Sequence, residues 1–212
     1  IMITNAKNKK RPFSWMNPKL EVRDTKKYGK GVFAKKDIKK NEMLIVMGGY
    51  ILTLEDDNEL KGDIADKPID LSDQFMIGPR NYSDLKKMPQ HYVNHSCNPN
   101  AGYNGQIFMV AIKNIKMGDE IFYDYAMVMY PDKSGKSECY FKMKCDCGSK
   151  KCREYITEDD WEIPKLQEEY KGYFQWFVQD KIEKNKRKNK NFKIKKNRSY
   201  QLKQAPWEKN KK

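Results

Sequence analysis

Asn94-His95-Ser96-Cys97-Asn98-Pro99-Asn100 restricts this chain more than any other stretch, because a polar, turn-forming run stands there between apolar segments. Asn98-Pro99 turns the backbone away from helix, and the amides and the imidazole need hydrogen-bond partners wherever they are buried. Such a run is either a surface turn or the polar lining of a site. Three further stretches bear on that choice: Gly29-Lys30-Gly31-Val32-Phe33-Ala34, Gly118-Asp119-Glu120-Ile121-Phe122-Tyr123-Asp124-Tyr125, and Cys145-Asp146-Cys147 with Cys152 close behind.

Apolar alternation bounded by glycine and proline predicts strands at 20–23, 31–34, 43–47, 74–77, 107–112 and 120–125. The run 53–60 predicts a short acidic helix. In a strand over 120–125, Tyr123 and Tyr125 share one face, about 7 Å apart, and Asp124 points to the other. After Cys152 the pattern turns helical. Thr157 is placed to cap with Asp160, Pro164 suits a first turn, and Tyr170, Tyr173, Phe174, Phe177 and Val178 recur at helical spacing. A helix closing over the sheets is expected, and the fold class is mostly β (α+β).

A chain of 212 residues that is 38% hydrophobic suffices for one domain with tails. No apolar stretch approaches the ~20 residues that span a bilayer, so no membrane association is expected. The N-terminal segment has basic residues but no apolar core after them, so no secretory signal is expected. Charge is uneven: residues 181–212 hold 14 Lys and Arg against Glu183 and Glu208, which is +12 of the +14 total. The rest is a near-neutral domain, and the tail reads as disordered or partner-bound.

Five cysteines, three of them within eight positions, fit metal thiolates in a reducing compartment better than disulfides. Cys145, Cys147 and Cys152 give C-x-C-x4-C, while structural zinc takes four ligands, so one position is open. Cys139 reads as an ordinary thiol.

In this order, the glycine turn, the Asn-His-Ser-Cys run, the Asp-Tyr strand and the cysteine knuckle resemble the SET-domain protein lysine methyltransferases with a post-SET zinc segment. The resemblance covers about 20–156, and 157–174 is similar to the C-terminal extension of small stand-alone SET proteins of prokaryotic type. It implies a SET fold of small sheets with a pseudoknot, a zinc knuckle and a C-terminal helix. With the charge pattern, it divides the chain into a basic arm (1–18), the SET domain (19–130), the post-SET segment (139–156), a helical extension (157–180) and a basic tail (181–212). By the same resemblance Gly29, Lys30, Gly31, Asn94 and His95 bind S-adenosylmethionine, Tyr155 and Trp161 supply an aromatic wall, and Tyr125 is catalytic. Tyr123 takes the place that is Phe or Tyr in the family, which implies mono- or dimethylation. Cys97 completes a zinc site with Cys145, Cys147 and Cys152. The implied partner is a protein with a target lysine, histone-like, with nucleic acid or a nucleosome met by the tail. The implied location is intracellular, in nucleus and chromatin or in cytoplasm. Where the family commonly has Tyr-x-Gly-Glu, this chain has Val46-Met47-Gly48-Gly49. A rival reading keeps the fold as a nucleic-acid or chromatin binding module with little or no catalysis.

Overall fold

Antiparallel pairing of short, half-buried strands sets the architecture. The computed structural model describes residues 13–25, 27, 29–65, 67–131 and 141–191. These form strands β1 (Trp15–Met16), β2 (Leu20–Asp24), β3 (Lys30–Ala34), β4 (Met43–Val46), β5 (Tyr50–Thr53), β6 (Ile69–Asp70), β7 (Phe75–Gly78), β8 (Asn94–His95), β9 (Ala101–Tyr103), β10 (Phe108–Ala111), β11 (Phe122–Tyr123), β12 (Lys142–Lys144) and β13 (Tyr155–Thr157). The helices are α1 (Leu54–Glu59), α2 (Tyr82–Leu85), α3 (Pro164–Glu169) and α4 (Trp176–Asn191). A four-stranded sheet in the order β1-β4-β10-β9 lies beside a β5-β7-β6 sheet and three two-stranded ones, β2-β3, β8-β11 and β12-β13.

The expected strands form, within a residue or two, except the last. At 120–125 only Phe122–Tyr123 is a strand, because the Asp124 carboxylate accepts the Ala126 amide (3.1 Å) and caps a 3-10 turn over Tyr125–Met127. The acidic run at 53–60 is α1, with a reciprocal capping box between Thr53 and Asp56. The N-terminal arm differs from expectation at its end, where Trp15 and Met16 pair with Val46 and Ile45. Residues 1–12 lie outside the described residues.

One contiguous core runs from the sheets into the C-terminal segment. Leu44, Ile45, Met109 and Ile121 are fully buried in it, and so are Trp161 and Val178. Phe174, Val178 and Ile182 recur every fourth residue and all face inward. Two expectations change here. The single helix after 157 is broken: Thr157 ends β13, with its hydroxyl on Asp160 (2.8 Å), and Gly172 at φ +81° separates α3 from α4. The expected tail from 181 is helical through Asn191, since Ile182 is buried and Lys181, paired with Asp73, lies over the Tyr130 and Phe177 rings. The tail from 192 on lies outside the described residues. Among the described residues no helix is long and apolar enough to cross a membrane.

Candidate active site

The Asn94–Asn100 run is neither a surface turn nor core filling. Its first two residues form β8, which pairs in parallel with β11, Asn94 opposite Phe122 and His95 opposite Tyr123. Most of the remaining polar groups are used internally, Asn98 being exposed. The Ser96 amide donates to the Tyr123 carbonyl (3.1 Å), and Asn100 binds the backbone at Glu120 and Phe122 through its side chain (2.7 and 2.8 Å). Buried polar groups need such partners, so these residues draw 94–100 and 120–125 into one seam.

Three phenols pack against one another at that seam. Tyr123 and Tyr125 have ring centroids 5.0 Å apart, and Tyr103 meets Tyr123 edge-on at 5.7 Å. The expected shared strand face is replaced by a strand residue and a turn residue whose rings still touch. Tyr103 and Tyr123 are buried and Tyr125 half-buried. Burial pushes the Tyr103 and Tyr123 hydroxyls well above the usual phenol range, so both stay neutral. Sequence reasoning missed Tyr103; an aromatic following Gly102 in an apolar strand was the available signal. A Cβ at Gly102 would come within 2.9 Å of Tyr173 Cβ.

His95 serves the protein at both ring nitrogens. Nδ1 accepts the Tyr125 amide (3.2 Å) and Nε2 lies 3.4 Å from Cys97 Sγ, so the proton belongs on Nε2. Burial pushes the ring pKa down to about 4, leaving a neutral imidazole.

Asn94 ties the seam to the glycine turn, donating from Nδ2 to the Lys30 carbonyl (3.0 Å) and to Glu120 Oε1 (2.7 Å). Burial raises the Glu120 carboxyl, against the bond from Asn94. A Cβ on Gly31 would stand 2.5 Å from Glu120 Oε1 and 2.7 Å from Thr25 Cγ2, so a larger residue there would have to displace those two side chains. Gly29 has φ +73° with open space about it, leaving main chain accessible to a ligand.

Gly48 is the glycine that the family pattern shares, and close packing holds it there; the departures are at Val46 and Gly49. A Cβ on Gly48 would lie 1.5 Å from the Phe13 carbonyl oxygen, and the Gly48 amide donates to Ser14 Oγ (3.0 Å). Ser14 donates in turn to Gln90 Oε1 (2.7 Å), and Gln90 Nε2 donates to the Gly48 carbonyl (2.8 Å). Residues 13–14 occupy the space that a side chain would need.

Cys97, Cys145, Cys147 and Cys152 come together with all four sulfurs within 4.8 Å of one another. Four thiolates at roughly 2.3 Å from a tetrahedral cation have edges of about 3.8 Å, and Cys97 and Cys145 are 3.8 Å apart. Backbone amides of Arg153 and Glu154 approach the Cys97 and Cys152 sulfurs at 3.4 Å. Burial pushes the Cys97 thiol up to about 11, a cost that a bound cation reverses. The donor set and spacing fit zinc. Cys139 lies outside the described residues. Lys27 Nζ donates to the Asp146 carbonyl (2.5 Å), bringing the β2–β3 turn against the knuckle.

Behind the tyrosines, Asp124 is wholly buried and gripped by Arg153 through Nη1 (2.6 Å) and Nη2 (2.8 Å), while Tyr170 donates to it at 3.1 Å. Arg153 Nε also reaches Asp160 (2.9 Å). Sequence reasoning missed this group. Arg153 is one of six arginines among 37 lysines, and a residue type used so sparingly is a usable signal for fork-shaped pairing. Of the two aromatic-wall candidates, Tyr155 is half-exposed on β13 under the Lys142 ammonium (4.5 Å). Trp161 is fully buried, its ring tilted against that of Tyr130 (5.0 Å).

Residues 29–126 match the SET domain family. Over 143 residues, 61% of this chain and 3% of the relative, the sequence is 28% identical to the histone-lysine N-methyltransferase trithorax of Drosophila virilis. It is 30% identical over 162 residues to the histone-lysine N-methyltransferase SUV39H1-A of Danio rerio, covering 60% of this chain and 38% of that protein. It is 30% identical over 158 residues to SUV39H2 of Xenopus tropicalis, covering 61% and 37%. The chain thus spans less than two-fifths of the length of these relatives. The polar run, the tyrosine seam and the cysteine cluster stand in one small β architecture, and the run and the seam lie within the stretch 29–126 that matches the SET domain.

Proposed function

We propose that this chain is a protein lysine N-methyltransferase that uses S-adenosylmethionine and acts on a histone or another basic, nucleic-acid-associated protein, adding one or two methyls. The observation that carries this reading is the cluster of Tyr103, Tyr123 and Tyr125 against the Asn94–His95 strand. The names of the relatives, histone-lysine N-methyltransferases, support the substrate class.

S-adenosylmethionine supplies a methyl group on a sulfonium sulfur. The exposed main chain at Gly29 and Lys30, with the Asn94 carboxamide beside it, would hold it, and the open space at Gly29 fits a ligand. Gly31 acts indirectly, by admitting Glu120 and Thr25. His95 sets the turn through the Tyr125 amide. An amine among buried, neutral phenols is poorly hydrated, which lowers its pKa from about 10.4 toward the unprotonated form that can react. The Tyr125 hydroxyl orients that amine and accepts weak C–H contacts from a polarised methyl. Positioning supplies most of the rate.

Cys97, Cys145, Cys147 and Cys152 would hold one zinc, which ties the C-terminal segment to the β8 strand. The basic end of the chain would meet nucleic acid or a nucleosome, and the working location would be chromatin.

The test is incubation with S-adenosylmethionine and core histones, read by peptide mass spectrometry, beside calorimetry with S-adenosylhomocysteine. Methylated lysine with measurable binding heat is expected. Absence of both would leave a SET-fold module that binds nucleic acid or chromatin without turnover.

A further inference from the structure

One buried carboxylate stands at the crossing of four segments. Asp124 lies between Tyr123 and Tyr125 in the chain, is fully buried, and has both oxygens engaged. Oδ1 accepts from the Ala126 amide (3.1 Å) and Arg153 Nη2 (2.8 Å), and Oδ2 from Arg153 Nη1 (2.6 Å) and the Tyr170 hydroxyl (3.1 Å). The first of these bonds closes the turn that starts at Tyr125, so the carboxylate's place sets where Tyr125 departs from β11. Arg153 decides that place. It follows Cys152 directly, its amide approaches Cys97 Sγ at 3.4 Å, and Nε holds Asp160 at 2.9 Å. The guanidinium is a rigid fork, so moving any of its anchors moves the others.

We propose that Arg153 is a positioning residue of the methyl-transfer site, a role that rests on the methyltransferase reading: by gripping Asp124 from the cysteine knuckle, it sets the Tyr125 hydroxyl and makes that setting depend on the cysteine cluster and the C-terminal extension. Nothing in this role touches cofactor or substrate. The β8–β11 pairs and the Asn94 bonds to Lys30 and Glu120 do not involve Arg153.

Displacing a reacting group by about 1 Å costs on the order of 100-fold in rate. Arg153→Gln should therefore lower kcat about 100-fold, and Arg153→Lys about tenfold, because an ammonium keeps the charge but cannot hold Asp124 at two points. The KM for S-adenosylmethionine should stay within about threefold, and one zinc per chain should remain. Turnover is divided by the number of S-adenosylhomocysteine sites titrated in the same preparation. A merely structural role predicts fewer sites and lost zinc with unchanged turnover per site, and that result overturns the proposal. Tyr170→Phe removes one bond to Asp124 without removing charge; it covers the case in which Arg153→Gln does not fold, with an expected kcat loss of about threefold to fivefold.

A second readout does not need turnover. In tyrosine-labelled protein, the Tyr125 ring resonance, assigned by its absence in Tyr125→Phe, should move in Arg153→Lys while that of Tyr50 stays. An unmoved Tyr125 resonance defeats the inference even in an active enzyme. Absence of turnover in the unmodified protein defeats the methyltransferase reading while the resonance still decides the placement.

Discussion

Tyr103 and Tyr123 lie on strands and Tyr125 two residues past the end of one, so the tyrosine seam takes much of its shape from backbone pairing within 94–125. The cysteine corner is built otherwise. Cys145, Cys147 and Cys152 lie in the loop between β12 and β13, a hairpin of three residue pairs, and that loop meets the rest of the chain through side chains and sulfur. The C-terminal extension mixes the two, with main-chain bonds from the Tyr103 amide to the Tyr173 carbonyl (2.9 Å) and from the Gln175 amide to the Met127 carbonyl (3.0 Å) beside Gln175 Nε2 on the Gln106 carbonyl (2.7 Å). Backbone ladders lose one bond at a time, whereas side-chain anchors and a shared metal let go together. The chemistry therefore resides in the part that holds itself, and its alignment resides in the part that can be released.

The strongest break of that contrast is at the seam. Tyr125→Phe keeps the ring packed against His95 and Tyr123 but removes the hydroxyl, and turnover should fall on the order of 100- to 1,000-fold with S-adenosylhomocysteine affinity within a few-fold. Single-turnover kinetics beside calorimetry measure both; near-normal turnover reduces Tyr125 to packing.

Chelation probes the other side. Metal analysis should return one zinc per chain, and its removal should cost on the order of tenfold or more in activity while the far-ultraviolet spectrum of the sheets is kept, since the ligands sit on the appended loop except for Cys97. No zinc in the purified protein, or sheet unfolding that precedes the loss of activity, contradicts the division drawn above.

Tyr123→Phe sharpens the seam itself. Tyr123 is buried between Tyr103 and Tyr125, and losing one neutral hydrogen bond of about 1 kcal/mol should shift product ratios toward higher methylation by up to about tenfold. Intact-mass spectra decide it, and a dominant trimethyl product from the unmodified protein would already contradict the mechanism. A smaller effect is expected at Gly48→Ala, where Phe13 must shift; overpacking of about 1–3 kcal/mol lowers Tm by about 2–12 °C. Scanning calorimetry showing no change would mean that residues 13–14 do not pack there in solution. Deleting 192–212 should leave turnover on free peptide unaltered and flatten the salt dependence of nucleosome binding; an unchanged salt slope denies that segment any contact with nucleic acid.

The strands were legible because local alternation announces them, and spacing brought out three of the four clustered cysteines, the resemblance supplying Cys97. Tyr123 and Tyr125 were paired by strand periodicity, yet Asp124 caps a turn, and their contact arises from the turn instead. Arg153 and Asp124 could not be matched by pattern, since a long-range ion pair leaves no periodic trace. The helix expected after 157 was misjudged at Gly172, whose left-handed backbone divides it, and at 181, where Ile182 continues the buried stripe past the change in charge.

The parallel pairing of β8 with β11 joins only two residue pairs, with all of 96–121 between them. Closing that loop for so little ladder is an entropic cost that the two pairs repay poorly by themselves. During synthesis the sheets from β1 to β10 can assemble while Arg153 is still unreleased, giving a nascent chain with a core and no aligned site. Methyl transfer would then begin only when the last third of the chain has docked, and a proteolytic cut between β11 and β13 would silence the protein without dismantling its sheets.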